Sequence, residues 1–196
     1  MTPAKELTRD DIMDMAAYGA IRMERRREIV ADKKNRRVHI GPHATFYFEN
    51  YWTMWLQVHE MLYIEKGGEA QIPDELNAYN PLIPKGRELI ATVMFEIDDP
   101  AKRAAILGEL GGVEETFFLS IDGAEVTATA ETDVDRTSAE GKASSVQFVH
   151  FHLTDDQAAK LKGGAGEVIL GIKHPAYSHM TILPLATRAA LAGDLD

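Results

Sequence analysis

Two pairs of histidines offer the first chemistry in this chain. His150 and His152 form an HxH within SSVQFVHFHL. In a strand, side chains two residues apart share a face, so both imidazoles can reach one metal ion. Such a site needs a further ligand, for which His174, His179 and Glu125 are the candidates. HxH is short and common, however, and the preferred reading is a polar, solvated strand face. His174 and His179 bracket the run HPAYSH. A proline-stiffened turn with two histidines and Tyr177 suits a binding loop, and imidazole is the usual acid or base near neutral pH. The competing reading is a strand-connecting turn whose His174 caps backbone groups.

A third constellation lies on YWTMWLQVHEMLYIE, residues 51–65. Thr53, Gln57 and Glu60 sit at i, i+4 and i+7, a narrow polar stripe on an otherwise apolar helix. Buried polar groups must be paired, so the stripe should meet arginines of the 22–37 segment, the Asn77–Asn80 segment or a ligand. A structural network is slightly preferred over a pocket lining. The segment Arg22–Arg37 holds 8 basic and 3 acidic residues. Its Glu24, Glu28 and Asp32, four apart, pair readily with arginines one turn away. It reads as a salt-bridged strap, with Arg26 and Arg27 facing the Glu49–Glu60 region. Few aromatic or base-reading groups accompany it, so nucleic-acid binding is the least favoured function. G-x-S-x-G, P-loop and G-x-G-x-x-G signatures are missing, as are the histidine spacings of zinc-protease and di-iron helices.

These residues must be positioned by alternating helices and strands. Thr8 caps a short first helix, and Tyr18–Arg37 reads as a longer one. Residues 38–48 form a strand or hairpin broken at Gly41-Pro42, and Asn50 caps the aromatic helix, which Gly67-Gly68 ends. Pro73 opens a short helix to about Asn80. Strands are expected at 88–98, 116–121, 125–130, 145–153 and 167–172, with Asp122-Gly123 as a tight hairpin. Helices fill 100–110 and 154–161, and Pro184 opens a last one; residues 131–144 read as a loop. The fold class is α+β: a mostly antiparallel sheet or partly open barrel with an N-terminal helical region packed on it. One domain spans 1–196, with a helical segment at 1–37, a strand–helix–helix segment at 38–87 and a strand-rich segment at 88–196.

The chain has 196 residues and no cysteine, which removes disulfides, thiolate metal sites and cysteine nucleophiles. Residues 1–37 carry 10 basic and 7 acidic groups (+3), and residues 38–196 carry 11 and 24 (−13), giving the overall −10. An acidic body repels nucleic acid and anionic membranes. The start lacks a signal-peptide core and no window approaches a membrane span, so the cytoplasm is the expected compartment.

The runs GPHATFYFENYWTMWLQVHEM, DELNAYNPLIP and HPAYSH, with the opening LTRDDI and the Arg-rich helix, resemble a bacterial domain-of-unknown-function family, number 3501. The likeness spans nearly the whole chain. The family's pattern falls on Glu49, Asn50, Thr53, Gln57 and Glu60, on Asn77, Tyr79, Asn80 and Pro81, and on His174, Pro175, Tyr177 and His179. HxH lies outside it. The resemblance implies no named activity; gene neighbourhoods imply a supporting part beside a rubrerythrin-like or iron–sulfur redox protein.

The resulting expectation is a non-enzymatic accessory or ligand-binding protein, dimeric through residues 51–65. The ligand set is Glu49, Thr53, Gln57, Glu60, Asn77, Tyr79, Asn80, His174, Tyr177 and His179. The alternative is a metal-dependent enzyme using histidines of the 174–179 turn with Glu49 or Glu60. A divalent metal is the one candidate cofactor.

Overall fold

Local signals start most of the elements in the computed structural model, which describes residues 5–131, 137–139, 141–164 and 166–196. Thr8 and Asp11 form a capping box around a single 3-10 turn, Arg9–Asp11. The Asp14 carboxylate accepts the first amides of α1 (Met15–Lys33), so this helix begins three residues earlier than expected. It also stops earlier, because Arg37 already belongs to a strand. Strands β1 (Arg37–Ile40) and β2 (Ala44–Phe48) form the hairpin broken at Gly41-Pro42. Gly41 has a φ of 64°, and a Cβ there would lie 2.5 Å from the His179 ring, so backbone and space both demand glycine.

Helix α2 (Tyr51–Glu65) follows, with the Asn50 side chain accepting from Thr53 N–H and Thr53 Oγ1 accepting from Asn50 N–H, both at 2.9 Å. Helix α3 (Ile72–Tyr79) and strand β3 (Glu88–Phe95) come next. Then follow α4 (Pro100–Gly108), β4 (Phe117–Ile121), β5 (Ala124–Thr127), β6 (Thr129–Ala130), β7 (Val146–His152) and α5 (Asp155–Gly163). The chain ends with β8 (Val168–His174), β9 (Tyr177–Ile182) and α6 (Leu185–Ala192). Of the expected 131–144 loop, residues 132–136 and 140 lie outside the described residues.

The strands make two antiparallel sheets rather than one, and neither closes into a barrel: β1-β2-β3-β7-β6 and β5-β4-β8-β9. The expected strand 125–130 supplies the link. Thr127 pairs with Phe118 in the second sheet, whereas Thr129 pairs with His150 in the first, so the chain changes sheets at Ala128. Pattern alone cannot show this, because the alternation continues through the step.

The first sheet is buried on both sides. One face meets the second sheet over a core that includes Phe46, Phe48, Leu89, Val93, Phe117, Leu119, Phe151 and Leu170. Its other face meets the helical layer, where Ile90 joins Tyr18, Met54, Trp55, Val58, Leu62 and Leu82. Burying each such large side chain contributes roughly 1.5–3 kcal/mol. Three layers explain the sequence of α2. One side of this helix packs on the sheet and others on α1 and α3, which leaves Trp52 and Ile64 as its large exposed apolar residues.

Candidate functional site

The pleat of the first sheet decides which side chains reach the helical layer. Tyr47, Thr92 and Phe148 are cross-strand neighbours on that face, and Met94 and Val146 form the next row. With Met54 and Gln57 of α2, Tyr79, Leu82, Glu49 and Lys33 they enclose a cleft of ≈ 320 Å³. Its walls are mainly apolar, with a few convergent polar groups. Glu49 is buried and accepts from Thr92 Oγ1 at 2.8 Å, while Gln57 Nε2 donates to Tyr79 Oη at 3.3 Å. Tyr47 is fixed from outside: its hydroxyl donates to Glu96 at 2.6 Å, and burial with this bond pushes the phenol pKa up.

A second depression adjoins the first. Arg27, Val30, Ala31, Lys33, Lys34, Arg37 and His39 line it, without an acidic residue. Lys33 belongs to both depressions, and the Arg37 guanidinium lies 4.9 Å from the centre of the Tyr47 ring. One lysine and one cation–π pair therefore form the partition between an apolar cleft and a basic groove. On a chain of net charge −10 this is a local inversion of sign.

The expected ligand set divides. Glu49, Gln57 and Tyr79 line the cleft. Thr53 is consumed by the α2 cap, donating to Asn50 O at 3.0 Å. Glu60 turns toward α1, where Arg22 grips it with bonds of 2.8 and 2.7 Å, Tyr18 donates at 2.6 Å and Arg26 stands at 3.6 Å. These hydrogen bonds, Arg22's first, hold its carboxyl at about 2. The strap thus runs chiefly through Arg22, while Arg27 faces the basic groove. Asn77 is exposed, and Asn80 clasps the backbone of Leu7 through both amide atoms at 2.8 and 2.9 Å.

The HPAYSH run is a tight β-hairpin turn between β8 and β9, a strand the sequence did not announce. His174 Nδ1 accepts from Ala176 N–H at 3.2 Å and Nε2 donates to Gly111 O at 3.2 Å, so both nitrogens serve the backbone. The Tyr177 hydroxyl donates to Ile40 O and accepts from His43 and Ala44 N–H, locking the β1–β2 turn. His179 packs edge-on against Tyr177. None of these residues lines the cleft, because the turn belongs to the second sheet. The His174–His179 pair with Glu49 or Glu60 is therefore not assembled: the turn serves the second sheet, Glu60 serves α1 and Glu49 faces the cleft.

HxH has different company. His150 and His152 project from β7 toward Glu88 on β3, and among the described residues these three make the one group of potential metal ligands, with ligand atoms within 4.8 Å of one another. Neither His174, His179 nor Glu125 joins them; Glu125 is paired with Lys173. His150 bonds Glu88 at 3.0 Å through Nδ1 and Glu131 at 2.6 Å through Nε2. Burial works against its charged form, but the two carboxylates outweigh burial and raise its pKa.

A family model described as "Protein of unknown function (DUF3501)" matches residues 6–195. The chain belongs to the DUF3501 family. A crystal structure of a novel protein of unknown function from Burkholderia pseudomallei K96243 is 41% identical, covering 97% of this chain and 99% of that one, with a TM-score of 0.90. No curated protein matches. Of the residues at the cleft and groove, the DUF3501 pattern singles out Glu49, Gln57 and Tyr79; Tyr47, Lys33 and Arg37 stand in resembling segments without being singled out, and Thr92 lies outside them. Tyr47 and Thr92 become neighbours only through strand register, and Lys33 and Arg37 were hidden in a charge run. No helix among the described residues is long and apolar enough to cross a membrane.

Proposed function

We propose that this DUF3501 chain is a small-molecule-binding protein. Its ligand lays an apolar, ring-sized body in the cleft beneath α2 and an anionic group on the adjoining basic groove. The shared wall carries this reading: Lys33 lines both depressions, and Tyr47 of the cleft lies beneath Arg37 of the groove. The cleft volume of ≈ 320 Å³ falls at the lower end of small-molecule sites, which favour apolar walls with few polar groups. Glu49, Gln57 and Tyr79 would orient the body, and Lys33 would meet the anion. Support of a redox partner rests on the family resemblance, and no residue described above bears on it.

Phenyl phosphate and its uncharged counterpart phenol test the reading by calorimetry and thermal shift. Phenyl phosphate should bind and raise the melting temperature, and phenol should do so far less. Lys33→Ala should weaken phenyl phosphate by about tenfold, the worth of one charge-assisted hydrogen bond. Equal behaviour of the two probes, or unchanged binding in the variant, would defeat the proposal.

A further inference from the structure

We propose that Glu88, His150 and His152 form a binding site for one divalent transition-metal ion, with Glu131 as the carboxylate that orients His150. The argument begins with register. Glu88 on β3 is the direct cross-strand partner of His152, and Ile90 of His150, so Glu88 stands between the two imidazoles on one sheet face. The two rings are nearly parallel, 5.7 Å apart and inclined by 16°. Glu88 Oε2 lies 3.0 Å from His150 Nδ1 and 3.4 Å from His152 Nδ1. Nitrogen and oxygen ligands each ~2.0–2.1 Å from a zinc ion in tetrahedral geometry are roughly 3.3 Å apart, so these spacings suit a shared ion as well as a shared proton.

The surroundings separate the two. A metal-bound histidine usually gives its second ring N–H to a carboxylate, and a ligating carboxylate is itself anchored. Both conditions hold here. Glu131 takes His150 Nε2–H at 2.6 Å, which turns Nδ1 toward Glu88 and His152. Lys85 N–H donates to Glu88 Oε1 at 3.1 Å, leaving Oε2 for the ion. His152 is the open side of the site, with 63% of its side chain exposed, so water or a ligand could complete the coordination sphere. Two imidazoles and one carboxylate with open positions suit zinc, iron(II), cobalt or nickel and not calcium, whose shell is all oxygen. The site lies one pleat along β7 from Phe148 of the cleft, yet none of its residues lines that cleft, so it stands or falls independently of the ligand reading.

The test uses untagged full-length protein, stripped with a chelator and titrated with Zn²⁺ by calorimetry and with Co²⁺ by visible absorption. Wild type should bind one ion per chain, with cobalt bands of a low-coordinate site. His152→Ala, at an exposed position whose loss should leave the melting temperature unchanged, should weaken binding at least ~100-fold. Glu131→Gln should preserve one-to-one binding at an affinity about 10–100-fold lower. His179→Ala serves as the distant control and should bind as wild type does. Substoichiometric binding of both ions by wild type, or unchanged affinity in His152→Ala, overturns the site. The group is then a hydrogen-bonded imidazolium between two carboxylates.

Discussion

Glu60 shows how a half-buried carboxylate on an aromatic helix becomes a fixed charge. Arg22 chelates it and Tyr18 donates to it, so its carboxyl is held at about 2, below the usual 4.5. A lowered pKa contributes stability that is fully present above 4.5 and is lost as pH falls toward 2. The contribution is on the order of 2 kcal/mol after solvent screening. Urea melts across that window should show the loss in wild type. Glu60→Gln should be less stable at pH 7 with a shallower slope, the remainder coming from Asp11, Glu88 and Glu96, whose pKa values are also lowered. Tyr177 holds its neighbours without charge, with one hydroxyl serving three backbone groups. Tyr177→Phe should cost about 1–3 kcal/mol, because two amides lose their acceptor. Binding of phenyl phosphate should be unaffected, a result that separates the turn from the cleft.

Among the elements, α2 carries the largest share of the helical layer. Its start depends on Asn50, whose side chain satisfies an otherwise orphaned amide. Asn50→Ala should lower the urea midpoint by the equivalent of about 1 kcal/mol without changing the slope of the transition. A cap acts locally, which is why Asn50, Thr154 and the Asp122-Gly123 turn could be read from sequence. Both turn residues have positive φ, 51° and 80°, as a hairpin turn of that type requires. β9 was not legible, since YSHMTI has weak alternation and is mostly exposed. Its strand character comes from pairing with β8, a property of the neighbour rather than of its own residues.

The molecule as a whole is closed by its ends. Arg36, just before β1, makes bonds of 2.6 and 2.9 Å to Asp194, and both side chains are buried. Near the other end, Asn80 holds the Leu7 backbone and Lys5 reaches Asp196. Asp194→Ala should destabilise by about 3 kcal/mol, since it leaves the buried guanidinium with only the partly exposed Asp32, 2.9 Å from its Nε, as counter-charge. The double variant Arg36→Met/Asp194→Leu should recover much of that loss, because it removes both desolvation costs. Chemical denaturation of the three proteins settles the comparison. If the single and double variants are equally unstable, the pair is not coupled as described.

Asn50, Gly41-Pro42, Pro73, Thr154 and Pro184 marked element boundaries from the sequence, because capping, turn geometry and missing amides act within a few residues. The apolar girdle of α2 likewise pointed to burial on several sides or in an oligomer interface, and the polar stripe pointed to pairing. Sequence spacing could not say with what. Glu60 and Gln57 are three residues apart, yet one answers to α1 and the other to the cleft. Glu88 lies 62 residues from His150, and strand register alone brings their atoms to 3.0 Å. The sequence therefore determined the helices, the turns and the apolar faces. The number of sheets, the wall shared by cleft and groove, and the grouping of histidines with carboxylates depended on long-range pairing, which no local interaction encodes.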